Sequence, residues 1–533
     1  MKRLLWLVFI VALSLPTLAG CDMSDPAVAT PASFQTLARH TPVGSGTTEP
    51  FFLDFKPGGD TAHHWQTFRR HLEGTPVGQE LFQNLLGQFK VEILNLEDVI
   101  DGPAVSAYWQ GTTYVILEIT DEAAAREAMI ANLGDASAWA QAEFEGRTIY
   151  HGQFREGSGS STYLAWTTTG GLLFMTHRNV DSAGYGAVVV SRLRDLLQVT
   201  EEESVAALPA WQKLEDHLPK STVGVSFIWF GPENQLPPGD AVSLLDALTR
   251  SLQGVALALV PEEDGLRIEI DGTFDPEAGS VPELQALFDM PPVDGDAWAG
   301  LPAGTAIALA GHDAPALLPW LQELFGLRLD AFQQAAAPLG LDVEADLLTE
   351  GGPLASTLTV GFLPPLADQP IIEGITALQI VVALPDAGRA QGEALQRAME
   401  GRGAVFGPQE VEGIEVQAQV GTAASGYAIA YADHDGTLYL GTSPEVVGQG
   451  IADAGLKKDA AFRSVRAALP DEPTAAAYLH TAALAELLQA NTTDEQYAAL
   501  PEYRMLELFE GIGLGLRFEP GRIYGTIYLR LGE

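Results

Sequence analysis

Apolar positions along the chain recur with two periods. In Leu266-Arg267-Ile268-Glu269-Ile270 apolar and polar residues alternate, the signature of a strand with one buried face. Ala125, Met129 and Leu133 are spaced by four residues instead, which marks the apolar stripe of a helix. Between alternating segments stand Thr169-Gly170-Gly171, Asp264-Gly265 and Asp435-Gly436, whose glycines accept positive φ. Tight turns of that kind join antiparallel neighbours, so the pattern predicts an α+β fold of mainly antiparallel sheet with packed helices.

The pattern also repeats. Leu94 to Pro103, ending Gly102-Pro103, is echoed by Leu341 to Pro353, ending Gly352-Pro353, at an offset of 352 minus 102, or 250. The strand Tyr114–Ile119 before Asp121 matches Leu378–Ala383 before Asp386. Glu145-Gly146 matches Glu412-Gly413, and the hairpin Tyr163–Thr176 matches Tyr427–Gly441. Leu218-Pro219 and Leu469-Pro470 each precede a threonine and an apolar strand, at an offset of 469 minus 218, or 251. Gly254–Leu259 with Leu266–Phe274 pairs with Gly511–Leu516 and Ile523–Leu529. Order is preserved throughout, which predicts two tandem homologous lobes, 48–290 and 298–533, each an α+β unit.

The first residues follow a different plan. Lys2 and Arg3 precede an apolar run from Leu4 to Leu15 that Pro16 closes. Twelve residues reach about 18 Å at about 1.5 Å each, short of the roughly 30 Å a spanning helix must cross. Leu18-Ala19-Gly20-Cys21 then resembles the lipobox of bacterial lipoproteins. The resemblance implies a signal peptide over 1–20, cleavage before Cys21 and lipidation of its thiol. The chain has 1 Cys in 533 residues, and it stands where the motif requires one. Asp22 resembles the inner-membrane retention signal of some two-membrane bacteria. From Asp22 to Pro50 the chain turns to Pro, Thr, Ser, Ala and Gly, with Phe34 and Leu37 the apolar exceptions. This predicts a flexible tether over 21–47, spanning roughly 30 Å root-mean-square.

Composition narrows the partners. The chain is 47% hydrophobic, enough for large cores, and 29 Lys plus Arg against 70 Asp plus Glu give a net charge of −41. That sign opposes nucleic acid and anionic bilayer surfaces, leaving the membrane to be reached through lipid on Cys21.

Candidate chemistry is sparse. His63, His64 and His71 lack a local carboxylate or cysteine to complete a metal set. Asp433-His434-Asp435 precedes Gly436 between two strands, where turns favour Asp and Gly. Asp342, Glu344 and Asp346 begin like a calcium loop, but Leu347 and Pro353 occupy positions that need Gly and Glu, so they read as a helix N-terminus. Gly157-Ser158-Gly159-Ser160-Ser161 lacks the spacing of a nucleophile elbow. Gly511, Gly513 and Gly515 alternate within a strand, which suits close packing and not phosphate binding. Glu201-Glu202-Glu203 and Glu262-Glu263-Asp264 read as solvated charge runs. No catalytic, cofactor-binding or metal-ligating residue is assigned, and Cys21 is the one predicted site.

Signal, lipobox, tether and two α+β copies, with Leu-Pro then Thr before a strand at Leu218, Leu301 and Leu469, resemble the bacterial extracytoplasmic family catalogued as domain of unknown function 3352. The resemblance implies location and fold, and brings no activity or site. The expectation is a lipid-anchored protein on the extracytoplasmic face of the cell membrane, non-enzymatic, binding a partner protein or an apolar ligand. An envelope-polymer hydrolase and a structural or assembly factor are the alternatives.

Overall fold

The computed structural model describes residues 34–44, 49–79, 98–132, 139–155, 161–179, 185–231, 244–275, 281–293, 300–312, 357–364, 379–385, 387–420, 428–452, 455–491 and 508–532, with isolated positions that include Trp298 and Asp342. Cys21, the apolar run before it, Gly157 to Ser160 and Gly352-Pro353 lie outside the described residues. Among the described residues no helix is long and apolar enough to cross a membrane. Contacts divide the described residues into two compact units, one of 34–241 with 248–276, here called N-terminal, and one of 277–533 with 242–247, here called C-terminal.

The N-terminal unit opens with a helical turn α1 (Gln35–Ala38), then β1 (Phe51–Asp54), α2 (Gly59–Glu73), β2 (Ile100–Trp109), β3 (Thr112–Ile119) and α3 (Glu122–Asn132). A meander β4 (Ala140–Phe144), β5 (Arg147–Arg155), β6 (Ser161–Thr169), β7 (Leu172–Asn179) follows, then α4 (Tyr185–Leu197) and α5 (Pro209–Glu215). β8 (Gly224–Trp229), β9 (Leu252–Glu262) and β10 (Gly265–Phe274) complete the series, and the helix α6 (Leu244–Ser251), which leads into β9, passes from one unit to the other after Ala247. The strands pair in the order β4-β5-β6-β7-β3-β2-β1-β8-β9-β10, every pair antiparallel.

The C-terminal unit opens with α7 (Pro282–Phe288), β11 (Ile307–His312), β12 (Thr357–Leu363), β13 (Gln379–Leu384) and α8 (Gly388–Glu400). Then come β14 (Phe406–Val411), β15 (Ile414–Gln419), β16 (Ala430–His434), β17 (Thr437–Gly441), α9 (Pro444–Ala452) and α10 (Ala460–Ala468). β18 (Ala475–His480), α11 (Thr481–Asn491), β19 (Phe509–Glu519) and β20 (Arg522–Leu531) end it. Its pairing order is β14-β15-β16-β17-β13-β12-β11-β18-β19-β20, again antiparallel throughout. The fold is α+β with antiparallel sheet, and the two pairing orders are the same, strand for strand.

Turn chemistry explains the shared register. Glu145-Gly146 and Glu412-Gly413 both take positive φ at both residues, 50° and 76° in one unit and 53° and 83° in the other. Such a two-residue turn matches the twist of the strands it joins and pins their alignment. Asp435-Gly436 does the same between β16 and β17, at 51° and 82°.

The structure moves the start of each repeat. Within the segment expected to be tether, Phe34 (2% exposed), Leu37 and Ala38 (both 0%) are buried in the N-terminal core with Phe52 and Trp211. Thr41 Oγ1 donates to the Leu37 carbonyl at 2.8 Å, and Pro42 bridges Ser204. Residues 34–43 therefore belong to the folded body. In the C-terminal unit Leu284 and Leu287 on α7 are buried in the same way, and both sit 250 residues beyond Phe34 and Leu37 (284 minus 34; 287 minus 37). Residues 282–290, expected to close the first lobe, thus open the second.

Candidate functional site

β18 runs through a core lined by Trp298, Phe462, Val465 and Leu469, burying every residue up to Leu479. His480 ends the strand half-buried and α11 begins at the next residue. Its Nδ1 accepts the Ala483 N–H at 3.2 Å, so the histidine caps the first turn of α11. A neutral imidazole has one donor and one acceptor, which puts the proton on Nε2. That nitrogen faces Asp459 Oδ2 at 3.6 Å.

Asp459 is itself a helix cap. Its Oδ1 accepts the Phe462 N–H at 2.7 Å at the start of α10, and the Tyr478 hydroxyl donates to the same oxygen at 3.4 Å. Phe462 meets Tyr478 edge-on at 5.1 Å and 86°, which fixes the ring that carries that hydroxyl. Burial alone would raise the Asp459 carboxyl, but the neighbouring His480 imidazole and hydrogen bonds from the Phe462 N–H and the Tyr478 hydroxyl hold it below its usual range. The Asp459 carboxylate beside it lifts His480 above the ordinary imidazole value, against the effect of burial. Burial, then the Asp459 charge, raises Tyr478 far above a free phenol.

Beside this group lies a half-open cavity of about 390 Å³, walled by Ala303, Gly304, Leu363, Pro364, Val446, Gln449, His480, Ala482, Ala483 and Glu486. Its size falls at the small end of ligand pockets. Its lining is mixed, apolar at Leu363, Pro364 and Val446 and polar at Gln449, His480 and Glu486. With Nδ1 of His480 taken by the Ala483 N–H, the ring's one lone pair is occupied and the imidazole shapes the wall.

The N-terminal unit has the same frame with different chemistry. The register pairs Gly224 with Leu259 in one unit and Ala475 with Leu516 in the other, so β8 maps onto β18 at 475 minus 224, or 251. At that offset Asp459, Tyr478 and His480 correspond to Leu208, Phe227 and Trp229. Leu208 stands at the N-cap of α5 with φ −69° and ψ 123°, Asp459 at that of α10 with −68° and 126°, yet Leu208 supplies no side-chain cap. Trp211 meets Phe227 at 5.2 Å and 73°, as Phe462 meets Tyr478. The ring contact is shared, and Asp459, Tyr478 and His480 stand where the N-terminal unit has Leu208, Phe227 and Trp229. Sequence reading missed them because each stands alone; placing the copies side by side at the Leu-Pro offset would have exposed the exchange.

The residues singled out in the sequence lie elsewhere. His63, His64 and His71 are on α2, with His63 exposed, and among the described residues no group of three His, Cys, Asp or Glu is placed to hold a metal ion. Asp433-His434-Asp435 forms the β16–β17 hairpin tip. Asp342 Oδ1 accepts the Ala345 N–H at 3.1 Å, and Asp346 pairs with Arg402, a helix-start arrangement. Glu203 caps a short 3-10 turn with Thr200, and Glu262 pairs with Arg267 at 2.6 Å. A Cβ on Gly513 would stand 2.1 Å from Val465, so the alternating glycines of β19 seat α10.

No family model and no curated protein matches the chain. Among solved structures, crystal form I of TP0453 is similar at 11% identity and a TM-score of 0.25, over 48% of this chain and 80% of that one. Crystal form III gives 12%, 0.23, 48% and 81%. At these TM-scores the likeness decides nothing about fold or function.

Proposed function

We propose that this chain is a lipid-anchored extracytoplasmic binding protein, built by tandem duplication, whose C-terminal copy has acquired a ligand site that the N-terminal copy lacks. The observation that carries this reading is the exchange of Leu208, Phe227 and Trp229 for Asp459, Tyr478 and His480 beside a cavity of about 390 Å³. That polar set belongs to one of two units with the same frame, and its imidazole lines the cavity wall. Anchoring rests on Lys2, Arg3, the apolar run and Cys21 in its lipobox setting. Two or three acyl chains on Cys21 hold the body to the membrane, since a single chain binds only reversibly. Resemblance to the family of domain of unknown function 3352 fits the same reading.

Intact mass spectrometry of the protein from its own membrane tests the proposal. Denaturing conditions are expected to show a chain starting at Cys21 and carrying diacylglycerol; gentle ionisation is expected to show a further mass that denaturation removes. A chain still starting at Met1 without lipid would end the anchoring half of the reading.

A further inference from the structure

Given the cavity as a binding site, we infer that its ligand is a small aliphatic primary amine, held by Glu486 and covered by the apolar wall. The charge inventory of the wall carries this. Asp459 points away into the cap of α10, Tyr478 and His480. His480 spends one nitrogen on the Ala483 N–H and turns the other to Asp459. What remains facing the cavity is Glu486, exposed on α11, with the half-buried Gln449. The helix neighbours of Glu486 at three and four residues are Ala482, Ala483, Gln489 and Ala490, so no lysine or arginine on α11 neutralises it. The cavity wall contains no lysine or arginine among the described residues.

A carboxylate with no counter-charge among the described residues, beside apolar surface, suits an ammonium on a short hydrocarbon stem. The ammonium would reach the Glu486 carboxylate and the Gln449 carboxamide oxygen, while the stem lies on Leu363, Pro364 and Val446. A carboxylate or phosphate ligand would instead meet like charge, within a chain of net charge −41 that draws cations and repels anions. The small cavity limits the group to a few carbons around the amine.

The test is a ligand-observed NMR titration of the full chain with hexylammonium, hexanol and hexanoate, repeated on Glu486→Gln and on Gly304→Phe, which fills the cavity from an exposed position. Hexylammonium is expected to bind best, to lose about ten-fold in Kd with Glu486→Gln, and to be abolished by Gly304→Phe, with hexanoate weakest. Hexanoate binding as well as hexylammonium, or a Glu486→Gln Kd unchanged, would overturn the amine while leaving the cavity reading in place, provided Gly304→Phe still blocks hexanol. If none of the three probes binds the parent chain, both readings fall together.

Discussion

The two units share a strand order, a pair of matched hairpin turns and one edge-on ring contact, and they part company at three residues around that contact. In the N-terminal unit, Leu208, Phe227 and Trp229 surround the start of α5 with apolar surface; in the C-terminal unit, Asp459, Tyr478 and His480 put a linked polar group in the same place. The glycine beneath the ring is also common: a Cβ on Gly254 would meet Phe227 at 3.0 Å, and one on Gly511 would meet Tyr478 at 3.1 Å. Rings, glycines and turns hold the fold, and the fold tolerates Asp459 because a helix N–H, a phenol and an imidazole all satisfy it.

If the ring contact is the shared frame, removing it should cost both units alike. Trp211→Ala and Phe462→Ala are each expected to destabilise by about 3–5 kcal/mol, read from denaturant unfolding. A cost below about 1 kcal/mol in one of them would break the symmetry. The opening helices make the next comparison: Leu37→Ala and Leu287→Ala should each cost about 2–5 kcal/mol. A neutral Leu37→Ala would return residues 34–43 to the tether.

Exchanging residues between copies sharpens the contrast. Phe227→Tyr buries a hydroxyl where Leu208 replaces its aspartate partner, at an expected cost of about 1–3 kcal/mol. The reverse change, Tyr478→Phe, gives up a single bond to Asp459 and should cost about 0.5–1.5 kcal/mol. Equal costs would mean that Asp459 does nothing for the hydroxyl. The smallest effect is on pH dependence. His480 is raised above its reference of 6.5 and Asp459 lowered below its reference of 3.8. The imidazole contribution is complete below its unfolded pKa and is lost as pH rises through the raised folded value. The carboxylate contribution is complete above its unfolded pKa and is lost as pH falls through the lowered one. Their joint stabilisation should therefore be greatest between the two reference values, and Asp459→Leu should flatten the profile in that window.

Much of this fold was legible. Alternating strands, Gly-containing turns and the ordered repeat predicted antiparallel α+β units because each rests on local chemistry that repeats within the sequence. The start of each repeat was not, since Phe34 and Leu37 form one short helical turn amid Pro, Thr and Ser, too brief to carry a period; only their burial against Phe52 and Trp211 reveals them. His480 and Asp459 were missed for another reason. They lie 21 residues apart, and what joins them is the packing of α10 against the sheet that contains β18 and β19. The histidines that sequence did bring forward, His63 and His64, are adjacent on one helix, where closeness in sequence makes them visible.

The most direct test of a site confined to one copy is hydrogen–deuterium exchange of the full chain with and without saturating hexylammonium. Added protection is expected in 444–452 and 480–487, the cavity walls of α9 and α11, with 208–230 in the N-terminal unit unchanged. Protection falling equally on both units, or on the N-terminal unit alone, would contradict a site confined to one copy.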